Sequence, residues 1–346
     1  MCWYTLFIHR RYYFSMVTIK QVAAHAGVSF KTVSRVVNHD STVKDANREK
    51  VLKSIKELGY RPNRAASLTR RKKSNIYAII ADELLSVPYT FDIIRGAQEI
   101  AWKKNKELLI LNVNDTQESI DRAIESLLEY RVEGVIYSAM YHRAIQVADE
   151  LKKIPTILAN CFPAEDNLPC VVPDEVQAGE EITTALINQG YRRIAFLNLN
   201  EDIIAAKGRK KGVIKAFKQH KLPLDDLLIE SVIIKQNDGV ERSTSRESAA
   251  RIIDNFKPDA IICGQDPMAM EIYFVVHDKG MVIGKDIGIA SFDNWGSIPE
   301  LLQPNLTTMA LPHHEMGRWA MEYLIACRTD IVHQHLPFKL IKRDSF

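Results

Sequence analysis

Residues 18–38 read TIKQVAAHAGVSFKTVSRVVN, two short helical patterns separated by a single glycine. Thr18 and Gln21 form a capping-box pair: the Thr hydroxyl accepts the N3 amide and Gln reaches back to the Thr amide. Val22, Ala23 and Ala26 give the first helix a small apolar face. Gly27 permits the tight turn, because a positive φ is cheap for glycine. Ser29 caps a second helix running through Ser34 to Asn38, with Val33, Val36 and Val37 on its inner side. A third helix is predicted over Asp45–Leu58, where Val51, Ile55 and Leu58 stand at i, i+4 and i+7 and Gly59 serves as the C′ residue. Two short helices joined by a glycine turn make a helix-turn-helix, whose second helix enters the major groove. Phe30, Lys31 and Arg35 fall on its exposed face. Arg35 can present a bidentate fork to guanine, Lys31 a point charge to guanine or phosphate, and Phe30 a contact to a thymine methyl. A three-helix bundle with a solvated basic face would share this pattern.

The charge distribution favours DNA. Residues 1–75 hold sixteen Lys and Arg against four Asp and Glu, a net of +12; the remainder holds thirty against thirty-nine, a net of −9. A basic head on an acidic body places the polyanion contact in the head alone. The composition, 46% hydrophobic and 26% charged over 346 residues, excludes a disordered or collagen-like chain and leaves room for two or three compact units. No apolar run reaches the ~18–20 residues of a membrane helix. Cys2, Cys161, Cys170, Cys263 and Cys327 are scattered, with no C-x-x-C pair, so reduced thiols and a cytoplasmic location are expected.

The stretch TIKQVAAHAGVSFKTVSRVVN, followed by V-x-x-x-N-R-x-x-V (43–51) and ELGYRPN (57–63), resembles the DNA-binding head of the lactose repressor (LacI/GalR) family of bacterial transcription factors. The resemblance puts Thr18, Ser29, Phe30, Lys31, Thr32, Ser34 and Arg35 at DNA-contacting positions and Asn38 and Tyr60 at supporting ones. It also implies a hinge helix that wedges a leucine into the minor groove and kinks the duplex. Here the hinge reads Asn63-Arg64-Ala65-Ala66-Ser67-Leu68-Thr69. The family spacing would put the wedge at Thr69, one residue later; Leu68 is the expected wedge. Arg70, Arg71, Lys72 and Lys73 continue the basic stretch as phosphate neighbours.

Beyond the head, apolar runs alternate with amphipathic segments. Strands are expected at 76–80, 108–111, 132–137, 155–159, 193–197, 232–234, 259–263 and 287–291. Helices are expected at 92–104, 117–130, 142–152, 175–189, 209–220, 243–256, 267–279 and 313–327. The alternation implies βαβ units, and the number of units, with a break near Leu168–Pro173, implies two doubly wound parallel sheets with a ligand cleft at their strand carboxyl ends. CGQDPMAM (263–270), GKDIGIASFDN (284–294), PNLTTMALP (304–312), MGRWAMEYL (316–324) and LIKRDS (340–345) extend the family resemblance through the body. It implies a periplasmic-binding-protein-like pair of subdomains joined by three crossovers. The fold class is therefore α/β behind an all-α helix-turn-helix head. The expected organisation is an extension over 1–15, the head at 16–61, the hinge at 62–74 and an effector-binding and dimerisation domain at 75–346. Its subdomains run about 75–173 and 174–304, with crossovers and shared C-terminal segments. Residues 1–15 (MCWYTLFIHRRYYFS) lack the order of a signal peptide and are read as an upstream extension, with Met16 as the natural start. The chain shows no leucine-heptad tail after its last strand, so a homodimer is expected.

The strand ends carry groups suited to a polyhydroxylated ligand: carboxylates and a guanidinium for paired hydroxyls, and aromatic rings for the C–H face. They are Tyr89, Phe91, Asn160, Arg209, Asp266, Asp293 and Trp295. The resemblance aligns Arg209, Asp266 and Asp293 with effector-contacting positions and Asn160 and Tyr89 with pocket-lining ones. Each acid could instead cap a helix, and Trp295 could seal the subdomain interface. PYTFDI (88–93), EGVIYSAM (133–140), ILANC (157–161), LPCVVPDE (168–175) and ICGQD (262–266) are most similar to sucrose-operon-type repressors. A small sugar, of disaccharide size, is the expected effector; a purine or sugar acid is the alternative. The expected partners are near-palindromic double-stranded operator DNA, the effector and a second copy of the chain, with no membrane and no cofactor. Enzyme signatures such as G-x-S-x-G, H-E-x-x-H and G-x-G-x-x-G are absent from the sequence. His313-His314 and His333-x-His335 lack the spacing of a metal site and are read as surface histidines. A sugar-binding transport protein would share the body but carry no basic head.

Overall fold

The computed structural model describes residues 17–37, 40–61, 73–82, 89–114, 116–165, 167–235 and 241–346, with the side chains of Tyr89 and Lys235 outside the description. The extension 1–15, Asn38, and Leu68 with the rest of Asn63–Thr69 therefore lie outside the described residues. The chain forms two units, Met1–Lys73 and Ser74–Phe346.

In the head, α1 (Ile19–Ala26), α2 (Phe30–Val37) and α3 (Asp45–Leu58) follow the caps. The Thr18 side chain accepts from Gln21 N while the Gln21 side chain accepts from Thr18 N. Gly27 and Gly59 close α1 and α3 with φ of 63° each, the left-handed cap that costs glycine least. Val22, Ala23, Ala26, Val33, Val36 and Val51 are buried together, and Ile55, Leu58 and Tyr60 pack around them.

The second unit contains two six-stranded sheets. The first carries β1 (Ile76–Asp82), β2 (Glu107–Val113), β3 (Val135–Ile145), β4 (Thr156–Pro163), β5 (Cys170–Pro173) and β13 (His333–Leu336), ordered β13-β5-β4-β3-β1-β2 and parallel throughout. The second carries β6 (Ile194–Asn198), β7 (Leu227–Ser231), β10 (Ala260–Cys263), β11 (Gly288–Asp293), β12 (Thr307–Ala310) and β14 (Lys339–Ile341), ordered β14-β12-β11-β10-β6-β7. Only the β12–β14 pair is antiparallel there. The central strands are buried on both faces, as helix-covered parallel strands must be. The helices are α4 (Tyr89–Lys103), α5 (Gln117–Tyr130), α6 (Glu175–Asn188), α7 (Ile204–Gln219), α8 (Ser245–Asn255), α9 (Asp266–Asp278), α10 (Ile298–Leu301) and α11 (His313–Ile325).

The chain passes between the sheets three times: after β5 into α6, between β12 and α11, and between β13 and β14. The second sheet therefore runs past residue 304 to include β12 and β14. Two expected elements differ. Residues 142–152 are not a helix: after a register shift β3 continues to Ile145, pairing Arg143, Ala144 and Ile145 with Cys161, Phe162 and Pro163. The ladder offered by β4 overrides a helix-like local pattern. The run 232–234 is not the strand beside β6. That place belongs to the half-buried Leu227–Ser231, while β8 (Ile233–Lys235) pairs antiparallel with β9 (Glu241–Ser243).

Both sheets are covered by helix pairs in close backbone contact. A Cβ on Gly96 of α4 would stand 2.0 Å from the His314 carbonyl oxygen, and one on Gly317 of α11 would stand 1.9 Å from that of Ile93. In the second subdomain a Cβ on Gly179 of α6 would stand 2.2 Å from the Arg209 carbonyl oxygen. One on Gly212 of α7 would stand 2.1 Å from that of Val176. No helix among the described residues is long and apolar enough to cross a membrane.

Candidate functional site

The head presents a polar, exposed helix start. Ser29 Oγ accepts from Thr32 N at 3.2 Å and lies 3.0 Å from Thr32 Oγ1, so the cap also orders two hydroxyls at the leading turn of α2. Phe30 is 51% exposed and Lys31 is exposed. The Arg35 side chain, 61% exposed, lies 3.3 Å from Asp40. Thr42 donates to Asp40 Oδ1 from both its backbone and its hydroxyl, and these bonds, with Arg35 and Arg48 nearby, hold the Asp40 carboxyl below its usual range. Thr18 is exposed, and Thr32 and Ser34 are half-buried. Tyr60 packs against the head core, a supporting place. The exposed face of α2 therefore carries an aromatic ring, Phe30, beside Lys31 and the Asp40-paired Arg35.

The second unit holds a cavity of about 170 Å³ at the strand carboxyl ends, between its two sheets. Met140, Tyr141, His142 and Asn160 line it from the first subdomain; Leu199, Asn200, Arg209, Gln265 and Asp293 line it from the second. Glu175, Leu311 and His313 come from the crossovers, and Ile203, Ala205, Ile233 and Glu241 complete the wall.

Arg209 is the centre of the polar network. Its side chain is 4% exposed. Nε donates to Glu175 Oε2 at 2.8 Å, a terminal nitrogen donates to the Gly264 carbonyl at 2.6 Å, and the other stands 3.6 Å from Asp293 Oδ1. The guanidinium also lies 4.4 Å from the centroid of the Phe292 ring, a face attractive to a desolvated cation. Burial pushes the Glu175 carboxyl up, but Arg209 and His142 outweigh it and hold the group below its ordinary value. The glycines explain this proximity: a Cβ on Gly208 would stand 2.5 Å from Glu175 Cβ, so only a glycine lets α7 bring Arg209 alongside the start of α6.

Asp293 ends β11 with φ 105°, and Asn294 follows at φ 51°. A non-glycine residue holds such a conformation only when its surroundings fix it. Asp266 does the fixing. Its Oδ2 accepts from Trp295 N at 2.6 Å and its Oδ1 from the Thr308 hydroxyl at 2.8 Å. Burial and the Asp293 carboxylate push Asp266 up to about 7. Asp266 is fully buried and is not among the residues that line the cavity; its hydrogen bonds fix the turn that carries Asp293. Asn160 (φ 57°) is 4% exposed and lines the cavity, with Nδ2 donating to the carbonyls of Ala139 and Met140 at 3.1 Å each.

The cavity thus brings together Asn160, Arg209 and Asp293, and it leaves out other expected residues. Phe91 is 53% exposed and off the cavity, because it lies on the outer face of α4. Trp295 is half-buried and also off it, its backbone being tied to Asp266. The Tyr89 side chain lies outside the described residues. His313, read as a surface residue, is 5% exposed and lines the cavity, because α11 begins at a crossover inside the cleft. Glu175, His142, Gln265 and Glu241 were missed. A Glu at a helix start reads as a favourable charge on the helix dipole, and nothing local marks it as buried. Among the described residues no group of three or more His, Cys, Asp or Glu could hold a metal ion. Cys161, Cys170 and Cys263 are buried and form no disulfide, and burial pushes the Cys161 thiol up to about 12, the state of an unreactive thiol.

Comparison with known proteins agrees with this construction. Residues 18–63 match the model of bacterial regulatory proteins of the LacI family. Residues 73–343 match that of the periplasmic binding proteins and sugar binding domain of the LacI family. The sucrose operon repressor of Shigella flexneri is 30% identical over 338 residues, 95% of this chain and 100% of the relative. A LacI-family transcriptional regulator protein from Rhizobium etli superposes with a TM-score of 0.73 at 31% identity, covering 79% of this chain and 99% of the other. The lac repressor dimer bound to operator and the anti-inducer ONPF shares the fold with a TM-score of 0.72 at 23% identity, covering 95% and 99%. A three-helix head with a capped, exposed second helix and a polar cleft between two mainly parallel sheets are the two halves of one kind of molecule, and the chain belongs to the LacI family of DNA-binding transcriptional regulators.

Proposed function

We propose that this protein is a cytoplasmic repressor of a carbohydrate-utilisation operon, and that a small sugar in the cleft sets its affinity for operator DNA. The observation that carries the reading is the Arg209–Glu175–Asp293 network facing Asn160 across the cavity. Carboxylates, a guanidinium and an amide converging from two subdomains suit a ligand with adjacent hydroxyls. The sucrose operon repressor relative adds to it. A homodimer reads two half-sites of a near-palindrome, with Thr18, Ser29, Phe30, Lys31, Thr32, Ser34 and Arg35 on the DNA, Asn38 and Tyr60 in support, and Leu68 as the minor-groove wedge. The ligand is returned unchanged; the cleft is a sensor and not a site of turnover.

A ligand held by Arg209 and Asp293 on one side and by Asn160 or Tyr89 on the other favours one orientation of the subdomains. Coupling between the sites is then a shared free energy of about 1–3 kcal/mol and must be reciprocal. Operator binding by the full chain, measured with and without sucrose, cellobiose and glucose, tests this. One of them is expected to change operator affinity about 5–150-fold, as that coupling energy requires. Asp293→Ala is expected to abolish the response. A variant that responds at the same sugar concentration as the parent would make Asp293 a turn residue and refute the site.

A further inference from the structure

Among the described residues that line the cleft, one buried side-chain polar atom is left without a hydrogen bond. His142 Nδ1 is buried and has no hydrogen-bond partner, although its side chain, 9% exposed, lines the cavity. The ring is held edge-on against Phe162, with centroids 5.7 Å apart. Glu175 Oε1 is 3.9 Å away, too far to be bonded, while Oε2 of the same carboxylate is taken by Arg209. His142 belongs to β3 of the first subdomain, and Glu175 opens the crossover helix α6. A buried donor left unmade costs free energy that the correct ligand recovers.

Facing groups of this kind select a chemistry. An ionised carboxylate only accepts, and an imidazole Nδ1 beside it is favoured as N–H, which donates. A hydroxyl donates and accepts at once, so one hydroxyl oxygen set between them satisfies both. A carboxylate or phosphate oxygen cannot donate to Glu175. It would also meet the charges of Glu175, Asp293 and, at the rim, Glu241, against the one guanidinium of Arg209, which Glu175 and Asp293 already flank. Like charges brought together in a dry site repel strongly.

We infer that His142 and Glu175 are a specificity pair: they bridge one hydroxyl of an uncharged sugar and turn away sugar acids and sugar phosphates. The inference rests on the reading of the cleft as a sugar site and says which sugars enter it. Contact to that hydroxyl spans the first subdomain and the crossover.

The test is calorimetric titration of the full chain with sucrose, cellobiose, glucose, glucose 6-phosphate and gluconate. At least one neutral sugar is expected to bind, with the two anions about tenfold weaker or silent. His142→Phe is expected to weaken the bound sugar at least about tenfold, and His142→Gln, which keeps an N–H donor, to restore part of the loss. Mono-deoxy analogues of the bound sugar supply the readout that a structural role would not move. One analogue is expected to bind the parent protein weakly and to lose no further affinity in His142→Phe. If His142→Phe does not fold, the analogue series on the unaltered protein decides: equal binding by every analogue overturns the pair. Tighter binding of glucose 6-phosphate or gluconate than of glucose overturns it too. A neutral sugar that binds equally well to His142→Phe overturns the pair while leaving the sugar site standing. Silence from all five compounds overturns both.

Discussion

Arg35 and Arg209 are the same residue put to opposite uses. Arg35 sits on α2 with 61% of its side chain in water and one partner, Asp40. Arg209 sits on α7 with 4% of its side chain in water, between two carboxylates, a carbonyl and an aromatic ring. The head keeps this cation hydrated, so its structure is nearly indifferent to that residue. The cleft has already desolvated its cation, so stability there draws on the groups that pair with it. Around Arg209, a change of side chain is also a change to the fold.

Removing Arg209 is expected to have the largest effect. Arg209→Ala leaves Glu175 and Asp293 as uncompensated buried charges and should destabilise the second unit by about 3–5 kcal/mol, measured by urea unfolding. A loss below about 1 kcal/mol would break the contrast between the two arginines. Asp266 sharpens it. Its folded carboxyl stands at about 7 against 3.8. A raised acid contributes stability that is fully present below its unfolded value and lost as pH rises through the folded one. The stability of the second unit should therefore fall by roughly 3–4 kcal/mol between about pH 4 and 7. Asp266→Asn can still accept from Trp295 N and donate to Thr308 Oγ1, and should flatten that window. An unchanged pH profile would assign the dependence elsewhere.

Gly179→Ala tests the helix contact that seats Arg209. A Cβ 2.2 Å from a backbone oxygen forces α6 and α7 apart, at about 1–3 kcal/mol, with sugar binding weakened in step. In the head, Arg35→Ala should cost about 1–3 kcal/mol of discrimination at one base pair of each half-site. Its unfolding free energy should stay within about 0.5 kcal/mol of the parent. Binding of operator and scrambled DNA that weakens equally would make Arg35 a phosphate contact. The smallest effect is expected at the cap: Thr18→Ala should lower the stability of the head by about 1 kcal/mol, unless the Gln21 side chain alone holds α1.

Local rules were enough where the structure is local. Thr18 with Gln21, Ser29 with Thr32, and the glycines at 27 and 59 mark three helices by interactions within five residues, and the helices stand where those signals put them. The strand–helix alternation likewise carried two parallel sheets, because strands buried on both faces need long apolar runs. The failures came where an element is chosen by a distant partner. Residues 142–145 look helical but extend β3, since β4 offers a ladder. Leu227–Ser231 is too mixed to read as a strand, yet it pairs with β6 at the sheet edge, where half-burial suffices.

The cleft divides in the same way. Arg209, Asp293 and Asn160 could be named from their places after strands, and all three line the cavity. Asp266 shares that kind of place but turns behind the β11 loop, since its two hydrogen bonds are to Trp295 and Thr308, 29 and 42 residues away. The sequence by itself determined the caps, the periodicities and the charge asymmetry, because each depends on neighbours along the chain. Which charges are buried, that Glu175 neutralises Arg209 and that His142 faces them without a hydrogen bond were decided by tertiary structure. Burial and pairing depend on the approach of two sheets and two helices whose residues lie far apart in sequence, and no local pattern encodes that distance.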